Sequence, residues 1–213
     1  MLELGLKFTL AYALGAVMGA LVVGYLRGGV DIRKAGSGNL GGTNALRTQG
    51  KWFALGVMVI DVGKGILAVA VVPRLNIPGV GFDPALDRTL LVYAIGFAAI
   101  LGHVFPVWSG FRGGKGGATA AGLLCYFAPT AAAPVLATWL AIVFLTGFVG
   151  IATISAALGA VVYAALAAQP GQHGFLVFCL LVAALITYSH RGNIRRMLDG
   201  TESRFARYFG LGK

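Results

Sequence analysis

The feature that most constrains the fold of this chain is a series of long apolar runs. They cover residues 8–26, 52–72, 90–108, 118–168 and 174–188 of a 213-residue sequence. A membrane-spanning helix needs about 20 mostly apolar residues, and all but the last run reach roughly that length. No strand-like alternation of polar and apolar residues occurs in them, which argues against a membrane barrel of β-strands. The runs therefore predict an all-α, polytopic integral membrane bundle.

Composition agrees with a membrane location for the whole chain. Hydrophobic residues make up 58% of the sequence and charged residues only 11%, whereas roughly a quarter of the residues in soluble domains are charged. The first run follows Glu3 and Lys7 and is too long for the apolar part of a cleaved signal peptide, so we expect a true helix there. Residues 1–213 are expected to form a single membrane-embedded domain.

The positive charges predict the orientation of the chain. Of the 17 Lys and Arg residues, thirteen fall on one side when the loops between the apolar runs are assigned to alternate sides. These thirteen are Arg27, Arg33, Lys34, Arg47, Lys51, Arg112, Lys115, Arg191, Arg195, Arg196, Arg204, Arg207 and Lys213. Because positively charged loops stay in the cytoplasm, we expect the N-terminus outside and the C-terminus inside.

This orientation requires an odd number of crossings, so the run at 118–168 must cross once or three times. A single helix of that length would extend roughly 75 Å at 1.5 Å per residue, more than twice the hydrocarbon thickness. Pro129, Pro134, Gly147 and Gly150 offer places where the helix could break. We therefore predict three helices in this run and seven spans in all, with five as the alternative.

Three polar clusters fall on the predicted cytoplasmic side. The first cluster is residues 36–50, the second is 102–119 and the third is 188–202. Each combines a cation with small residues that allow tight turns, in which successive backbone N–H groups can bind an anion. Arg47, Lys115 and the cations of the tail would add charge-assisted hydrogen bonds. The clusters together predict a cytoplasmic-facing site for one or more phosphate groups.

Two better-known phosphate motifs do not fit. Gly36, Gly38 and Gly41 match the spacing of the dinucleotide fingerprint, but an apolar membrane run precedes them instead of a strand. Residues 113–116 resemble a P-loop, yet Ser109 stands at the first glycine and Gly116 at the magnesium-binding hydroxyl. A solvated turn would explain any one cluster, whereas three on one side favour a site.

Asp61 and Lys64 lie near the middle of the second apolar run, where charged side chains are costly. At a spacing of three residues they share a helix face and can form an ion pair. A purely structural pair and a functional site are both open, because ionisable residues inside membranes commonly serve function. His103 is expected to hydrogen bond at a helix end.

Cys125 and Cys179 suggest neither a disulfide nor a metal site.

At the three clusters the sequence resembles the bacterial acyl-phosphate-dependent glycerol-3-phosphate acyltransferases, the PlsY family. The first motif of that family is matched by Ser37, Gly38, Asn39, Gly41, Thr43, Asn44, Arg47 and Gly50, and its D-x-x-K-G by Asp61, Lys64 and Gly65. The later motifs are matched by Gly102, His103, Pro106, Phe111, Arg112, Gly113, Gly114, Lys115 and Gly116, then by His190, Asn193, Ile194, Arg196, Gly200 and Glu202. Three positions depart from the family pattern: Arg112 replaces a lysine, Gly117 a valine, and Ser189 an arginine.

The resemblance implies transfer of an acyl group from acyl phosphate to glycerol 3-phosphate, giving lysophosphatidate and phosphate. It implies Ser37, Arg47, Lys115, His190 and Asn193 as catalytic residues, with Asp61, Lys64 and His103 in support. The implied phosphate-binding set is Ser37, Gly38, Asn39, Gly41, Thr43, Asn44, Arg47, Arg112, Gly113, Gly114, Lys115, Gly116, His190 and Asn193. Membrane lipid is the implied surrounding, the bacterial inner membrane is the implied location, and no cofactor, metal or nucleic acid is expected.

The chemistry leaves one choice open. An acyl phosphate is already activated, so the site needs only to orient the hydroxyl, stabilise the oxyanion and favour phosphate departure. No covalent intermediate is needed, and either the substrate phosphate or His190 could take the hydroxyl proton.

The H-x-x-x-x-D motif of the other large glycerolipid acyltransferase class is missing after all three histidines. A transporter or channel for a small anion is the alternative class, although no internal repeat is evident.

Overall fold

The computed structural model describes residues 1–167 and 173–205, and in these residues every long element is a helix. The helices are α1 (Leu2–Gly15), α2 (Gly19–Leu26), α3 (Gly42–Gln49), α4 (Lys51–Val71), α5 (Arg88–Val104), α6 (Gly117–Phe127), α7 (Pro129–Thr146), α8 (Val149–Ala167), α9 (Gly174–Ser189) and α10 (Arg191–Leu198). Short 3₁₀ turns occur at Ile32–Lys34, Val72–Arg74 and Val107–Ser109. The predicted all-α class is confirmed. Two of the predicted cytoplasmic cations, Arg207 and Lys213, lie outside the described residues.

The structure is that of an integral membrane protein. Within the described residues, four helical segments are long and apolar enough to cross a bilayer: Lys51–Arg74, Arg88–Ser109, Pro129–Thr146 and Val149–Ala167. The number rises to six if two bent pairs each form one span, α1 with α2 (45°) and α9 with α10 (52°). Helix α6 is apolar but shorter. Seven spans and the orientation stay predictions.

The run at 118–168 is divided as expected into three helices, α6, α7 and α8. Proline begins α7 at Pro129, and α7 ends at Gly147, whose φ of 76° is a left-handed conformation that favours glycine. Two of the four proposed break points were wrong, because Pro134 lies inside α7 and Gly150 inside α8. A membrane helix tolerates an internal proline when the rest of its backbone remains hydrogen bonded.

The first apolar run is also divided, which the sequence prediction of one helix missed. Helix α1 ends at Gly15 and α2 begins at Gly19, with the 45° bend between them. Glycines interrupt this run at both edges of the break. The break matters for the polar contacts described below.

The residues form two compact units, Met1–Tyr126 and Phe127–Lys213, and the single domain stays a prediction. In the first unit, α1 packs directly against α5. A Cβ added to Gly15 would lie 2.1 Å from the Ala99 carbonyl oxygen, and one added to Gly102 would lie 2.1 Å from that of Tyr12. The two helix backbones are therefore in contact, and no larger residue fits at either glycine.

A buried ionic group holds the start of α1. The Glu3 carboxylate pairs with Lys7 at 2.8 Å and with Arg88 at 2.6 Å, and it accepts the Asp83 N–H at 2.7 Å. Lys7 is almost fully buried and also donates to the Pro73 carbonyl. The N-terminal ammonium, 2.7 Å from Asp83, holds the pKa of that carboxyl below its usual range. This group ties the segment before α5 to the first turn of α1.

In the second unit, α8 lies between α7 and α9 and contacts both. The rings of Phe127, Phe175 and Phe178 form a cluster, with the Phe127 and Phe178 centroids 5.3 Å apart in an edge arrangement. Helix α10 follows α9 after the 52° bend and contacts α8 near Gly150, where an added Cβ would meet the Asn193 side chain at 3.0 Å. This small residue lets the polar helix approach the apolar one.

Candidate functional site

The first cluster and the turn before it, Ile32–Lys34, form a folded segment anchored by a few apolar side chains. Ile32, Leu40 and Ala45 are fully buried, and they belong to one hydrophobic cluster with Phe53 and Val57 of α4. Burial of a side chain as large as that of Ile32 or Leu40 stabilises a fold by about 1.5–3 kcal/mol. The polar residues between these anchors are thereby held in fixed positions between the end of α2 and the start of α4.

Asn44 organises this cluster from its centre. Its buried side-chain amide accepts the Ser37 N–H at 2.9 Å. Its nitrogen lies 3.0–3.2 Å from the carbonyl oxygens of Ile32, Ala35 and Asn39. The sequence prediction placed Asn44 among the phosphate ligands; the structure gives its side chain the task of shaping the loop.

The glycines of the first cluster serve this geometry. Gly36 and Gly38 have φ values of 58° and 71°. A Cβ on Gly36 would lie 2.3 Å from Asn44 Oδ1, so a larger side chain would displace the amide. Helix α3 then begins after Gly41, with Thr43 in its first turn and Arg47 in its last. Half of the segment that the sequence suggested as a loop is therefore helical.

Two backbone amides of the second cluster hydrogen bond to the C-terminal end of α5. The N–H groups of Gly113 and Gly114 donate to the carbonyls of Val104 and His103 at 3.2 and 3.0 Å. The last carbonyls of a helix lack partners within it, so these bonds satisfy α5. We expected the two amides to face an anion, but in this structure they are used internally.

Lys115 follows directly and precedes the first turn of α6. Gly116, with a φ of 84°, accepts the Ala120 N–H at 2.8 Å and so stands at the start of the helix. The amides of the first helical turn have no partner within the helix, and the helix dipole favours negative charge there. A cation beside a helix N-terminus is an arrangement suited to a phosphate. The Lys115 side chain is half-buried, whereas that of Arg112 is exposed.

The structure brings the first and second clusters together. The Asn39 side-chain amide lies 3.4 Å from the Gly113 carbonyl oxygen and donates to it. Asn39 is in turn held through its own carbonyl by Asn44. Ser37, Gly38 and Gly41 lie on the same segment as Asn39, so the predicted residues of these two clusters occupy one region of the first unit.

The predicted ion pair inside the membrane is present. Lys64 Nζ lies 3.0 Å from Asp61 Oδ1, and both side chains are buried. His103 Nδ1 faces the same oxygen at 3.6 Å. All three side chains are at most 4% exposed, so this face of α4 points into the bundle interior.

The third cluster lies in the second unit, at the bend between α9 and α10. The His190 ring is buried, and its Nδ1 lies 2.8 Å from the Ile186 carbonyl oxygen. A carbonyl accepts, so Nδ1 carries the proton in the neutral ring and Nε2 carries the lone pair. In this tautomer Nε2 is the ring nitrogen that can accept a proton. Ser189 donates to the same carbonyl at 2.8 Å.

Glu202 fixes the remaining residues of the third cluster. One of its oxygens accepts Asn193 Nδ2 at 2.6 Å, and the other accepts Arg196 Nε at 2.6 Å. The segment continues to Phe205, whose N–H donates to the Gly147 carbonyl. The sequence motif includes Glu202, but only the structure reveals that its carboxylate bridges Asn193 and Arg196.

Comparison with known proteins supports the resemblance over nearly the whole chain. A family model described as "Glycerol-3-phosphate acyltransferase" matches residues 6–200. A protein of that description from Bacillus velezensis is 37% identical, covering 94% of this chain and 97% of its own. Another from Chlorobium luteolum is 36% identical, covering 91% and 93%.

Two crystal structures are similar in fold as well as sequence. Both are of PlsY (YgiH), an integral membrane glycerol 3-phosphate acyltransferase. The glycerol 3-phosphate form is 32% identical to this chain, with a TM-score of 0.82 and 99% of each chain covered. The lysophosphatidic acid form is 30% identical, with a TM-score of 0.79. The likeness extends to both units.

Proposed function

This chain belongs to the glycerol-3-phosphate acyltransferase family, and from that membership we propose that it transfers an acyl group from acyl phosphate to glycerol 3-phosphate. The products are 1-acylglycerol 3-phosphate and inorganic phosphate. This is an acyltransferase of phospholipid synthesis, and the proposal concerns its donor, its mechanism and its site. The observation that carries the proposal is the placing of Lys115 at the start of α6, beside the first cluster that holds Arg47.

Both substrates carry a phosphate, and the first unit offers two places suited to one. Lys115 and the first amides of α6 form one of them. Arg47, at the end of α3, is the second, with Ser37 and Thr43 lending hydroxyls. A guanidinium binds phosphate oxygens through two parallel hydrogen bonds. The segment organised by Asn44 carries Arg47 and bonds to residue 113, two residues before Lys115. We therefore assign the substrate phosphates to these two cationic places.

The proposed reaction is direct. The primary hydroxyl oxygen of glycerol 3-phosphate attacks the carbonyl carbon of the acyl phosphate, forming the new ester bond. The bond between that carbon and the phosphate oxygen then breaks, and phosphate leaves with its electron pair. Hydrogen-bond donors that stabilise the oxyanion are worth about 2.7–4 kcal/mol each in comparable reactions. The hydroxyl proton goes either to a substrate phosphate, with a second pKa near 6, or to Nε2 of His190.

We further propose that the reaction occurs at the cytoplasmic side of the bacterial inner membrane. The loops and tail on the side of the clusters hold thirteen of the 17 Lys and Arg residues, which favours the cytoplasmic side. Acyl phosphate and the product both have long apolar chains, so a site at the edge of the bilayer allows those chains to remain in lipid.

The donor is tested with purified protein in detergent or nanodiscs. We expect labelled glycerol 3-phosphate to be converted to lysophosphatidate when acyl phosphate is supplied, with one phosphate released per ester formed. Acyl-coenzyme A and acyl carrier protein loaded with an acyl thioester serve as alternative donors in parallel reactions. Turnover with either of these but none with acyl phosphate, in a folded sample, would overturn the assignment of the donor.

The proton acceptor is tested through His190→Ala. If Nε2 of His190 is the base, the rising limb of the pH–rate profile for kcat should vanish in the variant. His190→Gln, which keeps a polar side chain, is the matched control for loss of the hydrogen bond to Ile186. A rising limb that survives in both variants would exclude the histidine and assign the proton to the substrate phosphate.

A further inference from the structure

The break in the first membrane run leaves backbone groups that α1 and α2 cannot satisfy by themselves. A break inside a membrane is tolerated only where other parts of the protein supply the missing hydrogen bonds. Here α4 supplies them. Lys64 Nζ donates to the Val17 carbonyl at 2.7 Å, and Asp61 Oδ1 accepts the Gly19 N–H at 3.1 Å. The buried ion pair thus binds both edges of the break.

The same ion pair faces the second cluster through His103. Asp61 Oδ1, already bonded to Lys64 and to Gly19, faces His103 Nδ1 on α5 at 3.6 Å. On the other side of that ring, His103 Nε2 packs against Gly114, where an added Cβ would lie only 2.0 Å away. The Gly114 N–H also donates to the His103 carbonyl. Lys115 is the next residue in the chain.

We propose that Asp61, Lys64 and His103 are positioning residues for the acyl transfer. They fix the break in the first span and the end of α5 relative to α4, and thereby hold residues 113–116 and the Lys115 ammonium in place. This inference rests on the proposed function for its catalytic readout. Its structural part, an ordered 113–116 segment that depends on Asp61, can be measured without any activity.

The catalytic test uses Asp61→Asn, Lys64→Gln and the double variant. Each single variant leaves one buried charge unpaired, whereas the double variant removes both charges and keeps a donor for Val17 and an acceptor for Gly19. We expect each single variant to lower kcat/KM on the order of 100-fold, as small displacements at a catalytic site do. The double variant should recover activity by about tenfold, a coupling within the range for residues in contact.

The KM values separate positioning from general damage. If the pair acts through Lys115, the substrate whose KM rises in Asp61→Asn must be the one whose KM rises in Lys115→Arg. A merely destabilised protein would lose active molecules, which lowers the apparent kcat and leaves the KM for both substrates unchanged. His103→Gln should show the same KM pattern as Asp61→Asn.

Glu3→Gln provides a matched control. Glu3 is also the acid of a buried ion pair with a lysine on the same side of one helix, at Lys7. It lies about 20 Å from the break, given the 1.5 Å rise per residue along α1. This variant, like Asp61→Asn, is expected to lower the unfolding temperature, but it should not change the KM for either substrate.

Hydrogen exchange gives the readout that does not depend on activity. In nanodiscs, Asp61→Asn and His103→Gln should speed exchange in peptides covering residues 113–118, whereas Glu3→Gln should leave these peptides as in wild type. Unchanged exchange at 113–118 in both variants would overturn the proposal. If wild-type protein showed no acyl transfer, the proposed function would fail, yet the exchange result would still decide the positioning role.

Discussion

Arg47→Ala should lower kcat/KM by as much as about 1,000-fold, the upper range for removing one charge-stabilising donor from a site. The bundle should remain folded, because the anchors of the first cluster are Ile32, Leu40 and Ala45. Arg47→Lys should be intermediate, since lysine keeps the charge but lacks the fork of a guanidinium. The measurement is steady-state kinetics with each substrate varied in turn, alongside thermal unfolding.

Arg33→Ala is the matched control for this prediction. Arg33 precedes the same cluster, is exposed, and pairs with Asp31 at 2.8 Å. Exposed ion pairs contribute little to stability, so this variant should retain wild-type kinetics. Wild-type turnover in Arg47→Ala would remove the arginine from the proposed site.

The second large effect is expected from Lys115→Ala. Loss of the ammonium beside the first turn of α6 should reduce turnover by on the order of 100- to 1,000-fold, while the hydrogen bonds that close α5 stay intact because they come from Gly113 and Gly114. Lys115→Arg should restore part of the activity, since the positive charge returns in a different shape.

Lys51→Ala controls for a general loss of positive charge. Lys51 is exposed at the start of α4 and lies over the Trp52 ring at 5.4 Å. Near-normal turnover is expected from it. If Lys51→Ala and Lys115→Ala reduced activity equally, the net charge of the surface, and not a phosphate contact, would explain both.

Comparing the two KM patterns assigns the phosphates. If Arg47→Lys raises the KM for one substrate and Lys115→Arg raises the KM for the other, each cation holds a different phosphate. If both raise the same KM, the two cations share one phosphate. The kinetic results therefore decide between one phosphate per cation and one phosphate shared by both cations, which the order of the motifs along the chain cannot decide.

The sequence predicted the helical class and the division of residues 118–168 because long apolar runs and helix breakers act locally. Pro129 begins α7 and Gly147 follows its last residue for reasons contained in their own backbone chemistry. Pro134 and Gly150 mark no helix end, because neighbouring helices decide whether such a residue interrupts a helix or packs against a partner. Gly150 receives Asn193, which is 43 residues away along the chain.

The polar residues show the same division. The pairing of Asp61 with Lys64 could be predicted from their spacing on one helix. Their bonds to Val17 and Gly19 could not, because these depend on a break in another helix. In the first cluster, the resemblance implied Asn44 as a phosphate ligand. Its use of both side-chain groups within the loop depends on three separate turns of the backbone.

The broken first span also has a consequence for biosynthesis. Residues 1–26 leave the ribosome well before α4, so the carbonyl of Val17 and the amide of Gly19 enter the membrane ahead of their partners at Lys64 and Asp61. Until α4 arrives, these two backbone groups require water or the insertion machinery to satisfy their hydrogen bonds. Insertion of the first two segments should therefore be coupled: truncations that end before α4 are expected to be retained poorly, and those that include it to integrate stably.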